Sequence, residues 1–361
     1  MGCGMRHFSD CSAICLLIRS HLVKVAVLFG GKSAERDVSL ASGAQAIKAL
    51  RKAGHEVVAV DTAYGLLGPA EEQELLYMGV AQIPPDEKAL AVLQSDSPLA
   101  LTQSAALRDV QVYFLALHGG TGEDGTLQAF LDMAKVAYTG SGHAGSANAM
   151  DKDIAKRLFR QAGVPTPDWL MAPATTESVL KQLALPVVVK PSKQGSTVGL
   201  TVVRKEEAMQ GAIAEAYRFD DEVIIEQFIP GRELTVGILE DQALAVGEII
   251  PRKSEIFDYA SKYQTDGAEE IFPANLTDEQ TRRCQELALL AHRALKLEAY
   301  SRIDFRMDAA GRFWCLEANS LPGLTVASLL PKSAQASGIS FPQLCDRICQ
   351  LAVKRHKSRR L

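Results

Sequence analysis

Arg302-Ile-Asp304 and, thirteen residues on, Glu317-Ala-Asn319 carry the side chains best suited to chemistry in this sequence. In a strand alternate side chains share a face, so Arg302 aligns with Asp304 and Glu317 with Asn319. The turn Asp308-Ala-Ala-Gly311 can then fold the two pairs together. Two carboxylates and an amide would converge, an all-oxygen set that suits Mg2+ with water and phosphate in its remaining positions. The competing reading, a solvated hairpin face, sits poorly with the apolar neighbours Ile303, Phe305, Leu316 and Ala318.

Three loops add to this. Lys190-Pro-Ser-Lys-Gln-Gly-Ser-Thr-Val-Gly199 offers amides, hydroxyls and a lysine charge, a combination that suits phosphate oxygens; an ordinary polar hairpin is the other reading. His118-Gly-Gly-Thr-Gly-Glu-Asp-Gly125 follows an apolar run and precedes a helical one, which puts it at the edge where open α/β sheets bind ligands. A lone histidine is as often structural, and both readings stand. Gly30-Gly-Lys-Ser-Ala-Glu35 lacks the third glycine of a dinucleotide fingerprint and the spacing of a Walker A loop. It offers the carboxylate of Glu35, which either faces a ligand or complements the dipole of the helix it begins.

The elements that must hold these residues alternate in type. Strands over Val23–Phe29, 55–61 and 110–117, with helices up to Ala53 and over 124–134, imply parallel strands with crossover helices in a doubly wound first domain at 23–140. A helix at 151–163 and strands at 187–190, 200–203 and 222–228 make a central domain at 141–226. A final domain at 227–361 holds a strand at 232–239, a hairpin, a loop at 251–273, a long helix near 277–296 and strands at 299–307 and 312–318. The basic end Lys354–Arg360 reads as a solvated helix terminus. Residues 64–110 imply only short helices.

With 361 residues the chain has room for two or three domains of roughly 150 residues each. Its 47% apolar and 23% charged residues are those of a folded globular protein, and a net charge of −4 gives no general field for nucleic acid or anionic lipid. Seven scattered cysteines without a CxxC pair speak against a disulfide framework and a zinc ribbon, and for a reducing compartment. The apolar stretch Ala13–Ile18 is far short of the ~20 residues that cross a bilayer. Residues 1–22 read as an unstructured extension or an over-long start, with Met5 as another candidate start.

Taken in order, these segments resemble the D-alanine:D-alanine ligases of the ATP-grasp superfamily, from about Val23 to about Arg355. The resemblance rests on Gly30–Glu35 with Val38-Ser39, on His118–Gly125, and on Arg302-Ile-Asp304 through Glu317-Ala-Asn-Ser-Leu-Pro-Gly323. It implies a three-domain α/β ATP-grasp ligase: an N-terminal doubly wound parallel sheet that contributes to the substrate site, and two α+β domains that clasp ATP. It places Lys152, Lys190, Glu226, Gln227, Phe228, Ile229 and Glu233 around ATP, and Asp304, Glu317 and Asn319 on Mg2+, as two ions that Mn2+ could replace. Glu35, Ser196 and Tyr263 would form a hydrogen-bonded trio at the first D-alanine, with His118 close by. Arg302 and the Gly323 amide would hold the oxyanion, and Ser328 and Leu329 the second carboxylate. Lys262 and Tyr263 fall in a segment, Asp258–Asp266, that looks like the family's closing lid. The implied activity is ATP-dependent joining of two D-alanines through an acyl phosphate for peptidoglycan precursors, in a cytoplasmic protein that tends to dimerise, with no nucleic-acid or membrane partner.

Arg306 departs from the family pattern, which is usually apolar there, and lies on the face of Asp304 near the expected nucleotide. Three rivals remain: a D-alanine:D-lactate ligase, opposed by Tyr263 where such enzymes usually carry Phe; an ATP-grasp ligase for another carboxylate and amine; and a nucleotide-binding module without catalysis.

Overall fold

Lys24–Phe29 forms β1, whose nearly unbroken apolar run is buried on both faces, as parallel strands require. The computed structural model describes residues 22–33, 35–77, 93, 104–252 and 267–359. In the first sheet β1 lies between β2 (Glu56–Asp61) and β4 (Val112–Leu115), both parallel to it, and the short β3 (Gly65–Leu66) adds an antiparallel edge to β2. The crossover helix Arg36–Lys52 ends before Gly54, whose positive φ of 98° reverses the chain into β2.

The second sheet is antiparallel and contains β5 (Trp169–Met171), β6 (Val187–Pro191), β7 (Thr201–Val203) and β8 (Val223–Gln227) in the order β5-β8-β6-β7. Its core packs Val187, Val189 and Ile225 against Met209 and Ile213 of the helix Met209–Ala216. The third sheet, also antiparallel, contains β9 (Arg232–Leu239), β10 (Gln242–Pro251), β11 (Ala268–Ile271), β12 (Tyr300–Met307) and β13 (Phe313–Asn319) in the order β11-β10-β9-β12-β13. The helix Asp278–Ala294 lies on it, started by a capping box between Thr277 and Gln280.

Two expectations need correction. The loop expected at 251–273 contains β11, which pairs with Glu248–Pro251. Ala-Glu-Glu-Ile is too short and acidic to read as a strand, yet charged residues are at home on a sheet edge. The basic terminus is not merely solvated. The helix Phe341–Arg359 packs Leu344, Ile348 and Ala352 into the core of the first sheet. Arg355 donates to the Tyr138 carbonyl at 2.6 Å and pairs with Glu298, while Arg359 pairs with Asp132.

Candidate active site

Strands β12 and β13 bring the expected pairs face to face: Arg302 opposes Asn319, and Asp304 opposes Glu317. The turn alone would not do this. Nearer the turn, Arg306 pairs with Trp314 and Phe305 with Cys315, a register that carried onward would oppose Asp304 to Leu316 and send Glu317 to the core face. A β-bulge at Leu316 inserts one residue and returns Glu317 and Asn319 to the face of Asp304.

Like charges directly opposed across a ladder repel. Here Arg302 grips Asp304 through Nη2 at 2.8 Å and Nε at 3.0 Å, Thr235 donates to Asp304 Oδ1 at 2.7 Å, and Lys152 Nζ stands 3.6 Å from Glu317. The Asn319 amide lies 3.0 Å from Asp304 Oδ2. Among the described residues no three His, Cys, Asp or Glu side chains gather into a self-sufficient metal site. Asp304, Glu317 and Asn319 are hard oxygen donors on one face, a set that fits Mg2+ shared with phosphate oxygens.

Two adjoining cavities open on this face. The larger, about 290 Å3, collects Glu35, His118, Ser196, Gly323, Ser328 and Leu329 from all three sheets. The smaller, about 110 Å3, collects Lys190, Glu226, Gln227, Phe228, Ile229 and Glu233. Lys152, Arg302 and Glu317 line both.

In the larger cavity Ser196 donates a short hydrogen bond to Glu35 Oε1, joining the first and second sheets. The Glu35 carboxylate is wedged between two glycines: a Cβ on Gly119 would stand 2.9 Å, and on Gly195 2.8 Å, from its Oε2. His118 has both ring nitrogens occupied. Nδ1 donates to the Leu321 carbonyl at 3.0 Å, which leaves Nε2 as acceptor for the Ser42 hydroxyl at 2.9 Å. Burial lowers its pKa, in keeping with a neutral ring. His118 therefore combines the two readings left open above, lining the cavity while bracing the structure.

The same corner holds residues that sequence reasoning passed over. Glu123 accepts from the amides of Gly119 at 3.0 Å and Leu321 at 3.3 Å. Burial, reinforced by the Glu35 charge, raises its pKa to about 7. Gln45 and Ser42 accept from the amides of Val326 and Leu324. Together these side chains grip residues 321–326, the segment that carries Gly323. Beyond it Ser328 stands at the N-cap position of the helix Leu329–Ala336, its hydroxyl 2.8 Å from that of Thr325, and the first amides of the helix have no partner within it.

In the smaller cavity Glu226 lies between Lys190 and the buried Lys156, which outweigh its burial and hold its pKa down at about 2. Burial alone would lower the Lys190 pKa, but the Glu226 and Glu317 carboxylates raise it. Arg306 reaches the Ile229 carbonyl at 3.0 Å and Glu233 at 3.1 Å, and its guanidinium stands 5.4 Å from the Phe228 ring centre. The expected Lys262 and Tyr263 lie outside the described residues.

Residues 24–141 match the family model described as D-ala D-ala ligase N-terminus, and residues 158–350 the one described as D-ala D-ala ligase C-terminus. The chain belongs to the D-alanine–D-alanine ligase family. It is 41% identical to the D-alanine–D-alanine ligase of Geotalea uraniireducens, over 91% of this chain and 95% of that one. With the enzyme of Halalkalibacterium halodurans it shares 38% identity over 92% of this chain and all of that one. Among solved structures, the D-alanine–D-alanine ligase from Bacillus anthracis complexed with ATP superposes with a TM-score of 0.75 at 28% identity, covering 93% of this chain and 99% of that one. The ligase from Coxiella burnetii gives a TM-score of 0.76 at 26% identity, covering 94% and 96%. The D-alanine–D-alanine ligase fold thus accounts for all three sheets described above.

Proposed function

We propose that this chain joins two D-alanines into D-alanyl-D-alanine for peptidoglycan precursors, converting ATP to ADP and phosphate. The observation that carries the reading is the meeting of two cavities at Lys152, Arg302 and Glu317. A carboxylate activated by a nucleotide must lie where a phosphate-binding space adjoins an amino-acid space.

The carboxylate of the first D-alanine attacks the γ-phosphorus, and ADP leaves. Lys152 and Lys190 offset the charge of the transferring group. The product is an acyl phosphate, a far better electrophile than a carboxylate. Glu35, held by Ser196, accepts from the ammonium of this first substrate. The second D-alanine is received by its carboxylate at Ser328 and the Leu329 amide, and its neutral amine attacks the acyl carbon. Arg302 and the Gly323 amide take the oxyanion of the tetrahedral intermediate. Arg302 is suited to this because Asp304 already fixes one edge of its guanidinium, so little ordering remains when charge develops. Collapse expels phosphate, and the amine nitrogen loses its extra proton.

Asp304, Glu317 and Asn319 would hold Mg2+, which neutralises phosphate charge when bound. The need for ATP and the buried free thiols of Cys284, Cys315, Cys345 and Cys349 suit a cytoplasmic location. No helix among the described residues is long and apolar enough to cross a membrane. The family resemblance also carries a homodimer, which light scattering of the purified chain would reveal.

The test of the acyl phosphate uses D-alanine labelled with 18O in its carboxylate. One labelled oxygen should appear in each released phosphate; unlabelled phosphate would reject the intermediate.

A further inference from the structure

Lys156 is fully buried and lines neither cavity, yet its ammonium meets a carboxylate, a hydroxyl and an aromatic ring. It lies one helical turn beyond Lys152 on the helix Lys152–Gln161. Its Nζ stands 2.9 Å from Glu226 Oε2 and donates to the Thr166 hydroxyl at 2.8 Å, and it lies 5.3 Å from the Trp169 ring centre. Thr166 in turn donates to the Cys315 carbonyl at 2.8 Å, anchoring the group to β13. The other oxygen of Glu226 is taken by Lys190, which lines the smaller cavity.

One carboxylate is thus shared by two ammonium groups. A lone Glu226–Lys190 pair would be neutral and would draw Lys190 back from the cavity. With Lys156 on the far oxygen, the three groups together carry one positive charge, and Lys190 is the member that faces open space. A buried lysine is costly unless paired, so its presence calls for a partner it serves. Thr166 accepts from it and the Trp169 ring lies beside it, which holds it on the Glu226 side.

We propose that Lys156 is a positioning residue for nucleotide phosphates that it never touches: by holding Glu226, it keeps the charge of Lys190 available to the triphosphate. This rests on reading the smaller cavity as the ATP site.

The test is a binding cycle with the full chain. ATP and adenosine are titrated, adenosine by competition, into wild type, Lys156→Met, Glu226→Gln and the double variant, each checked for folding by its melting curve. Lys156→Met should weaken ATP at least roughly tenfold and adenosine by no more than about twofold, with KM for D-alanine unchanged. On the Glu226→Gln background the same substitution should cost ATP less than about twofold, because no carboxylate remains to neutralise Lys190. Equal losses for ATP and adenosine, or the same loss on both backgrounds, would overturn the proposal and leave Lys156 a packing residue. Should Lys156→Met not fold, the double variant decides, since it buries no unpaired carboxylate. ATP affinity within about twofold of Glu226→Gln supports the proposal, and a larger loss overturns it. A wild type that binds no ATP would overturn the reading of the cavity and this proposal with it.

Discussion

Asp304 and Glu317 stand directly opposite each other on neighbouring strands only because Leu316 is an extra, unpaired residue between Cys315 and Glu317. The bulge decides which side of the sheet receives the second carboxylate. Deleting Leu316 removes the extra residue and lets the register of Phe305–Cys315 run straight on to Glu317 opposite Asp304, so both carboxylates should keep their face and ligation should survive. Leu316→Ala keeps the extra residue and should retain most of the activity. A deletion variant that no longer ligates beside an active Leu316→Ala would contradict this register.

Arg302→Lys keeps the charge but loses the planar edge that Asp304 holds. Turnover should fall by roughly 10²–10³ while ATP affinity changes little. Steady-state kinetics beside equilibrium ATP binding separates the two. A raised KM with unchanged kcat would assign Arg302 to substrate binding instead.

Gly195→Ala tests the seat of Glu35. Gly195 does not lie in the left-handed region, so the new methyl acts through space alone, 2.8 Å from the carboxylate. KM for D-alanine should rise on the order of tenfold, with ATP binding intact. Unchanged D-alanine kinetics would mean that Glu35 does not contact the amino acid.

Glu123 makes stability depend on pH. Its folded pKa is raised to about 7, above the ordinary glutamate value, so the folded chain holds a proton that the unfolded chain releases. Stability from this group is therefore full at pH 4 and is lost as pH rises toward 7, by up to about 3 kcal/mol. Melting temperatures between pH 5 and 8 should fall for wild type relative to Glu123→Gln. Parallel profiles would contradict a protonated Glu123.

Much of this was legible from the chain. Alternation put Arg302 beside Asp304 and Glu317 beside Asn319, and glycine density marked the His118 loop as a ligand edge. The bulge was not legible, because Leu316 is as good a strand residue as its neighbours and only the ladder shows it to be extra. Lys156 was hidden for a different reason. On the sequence it is one more cation on an amphipathic helix, and its partner Glu226 lies seventy residues away. Arg355 was likewise read as solvated because nothing local reveals that its helix returns to the first sheet.

The central claim is most directly tested by mixing the purified chain with ATP, Mg2+ and D-alanine, then quantifying ADP, phosphate and dipeptide together. One ADP and one phosphate should appear for each D-alanyl-D-alanine formed, with none of the three produced when L-alanine replaces the D-isomer. Phosphate release that is indifferent to D-alanine, or that proceeds without dipeptide, would contradict the account.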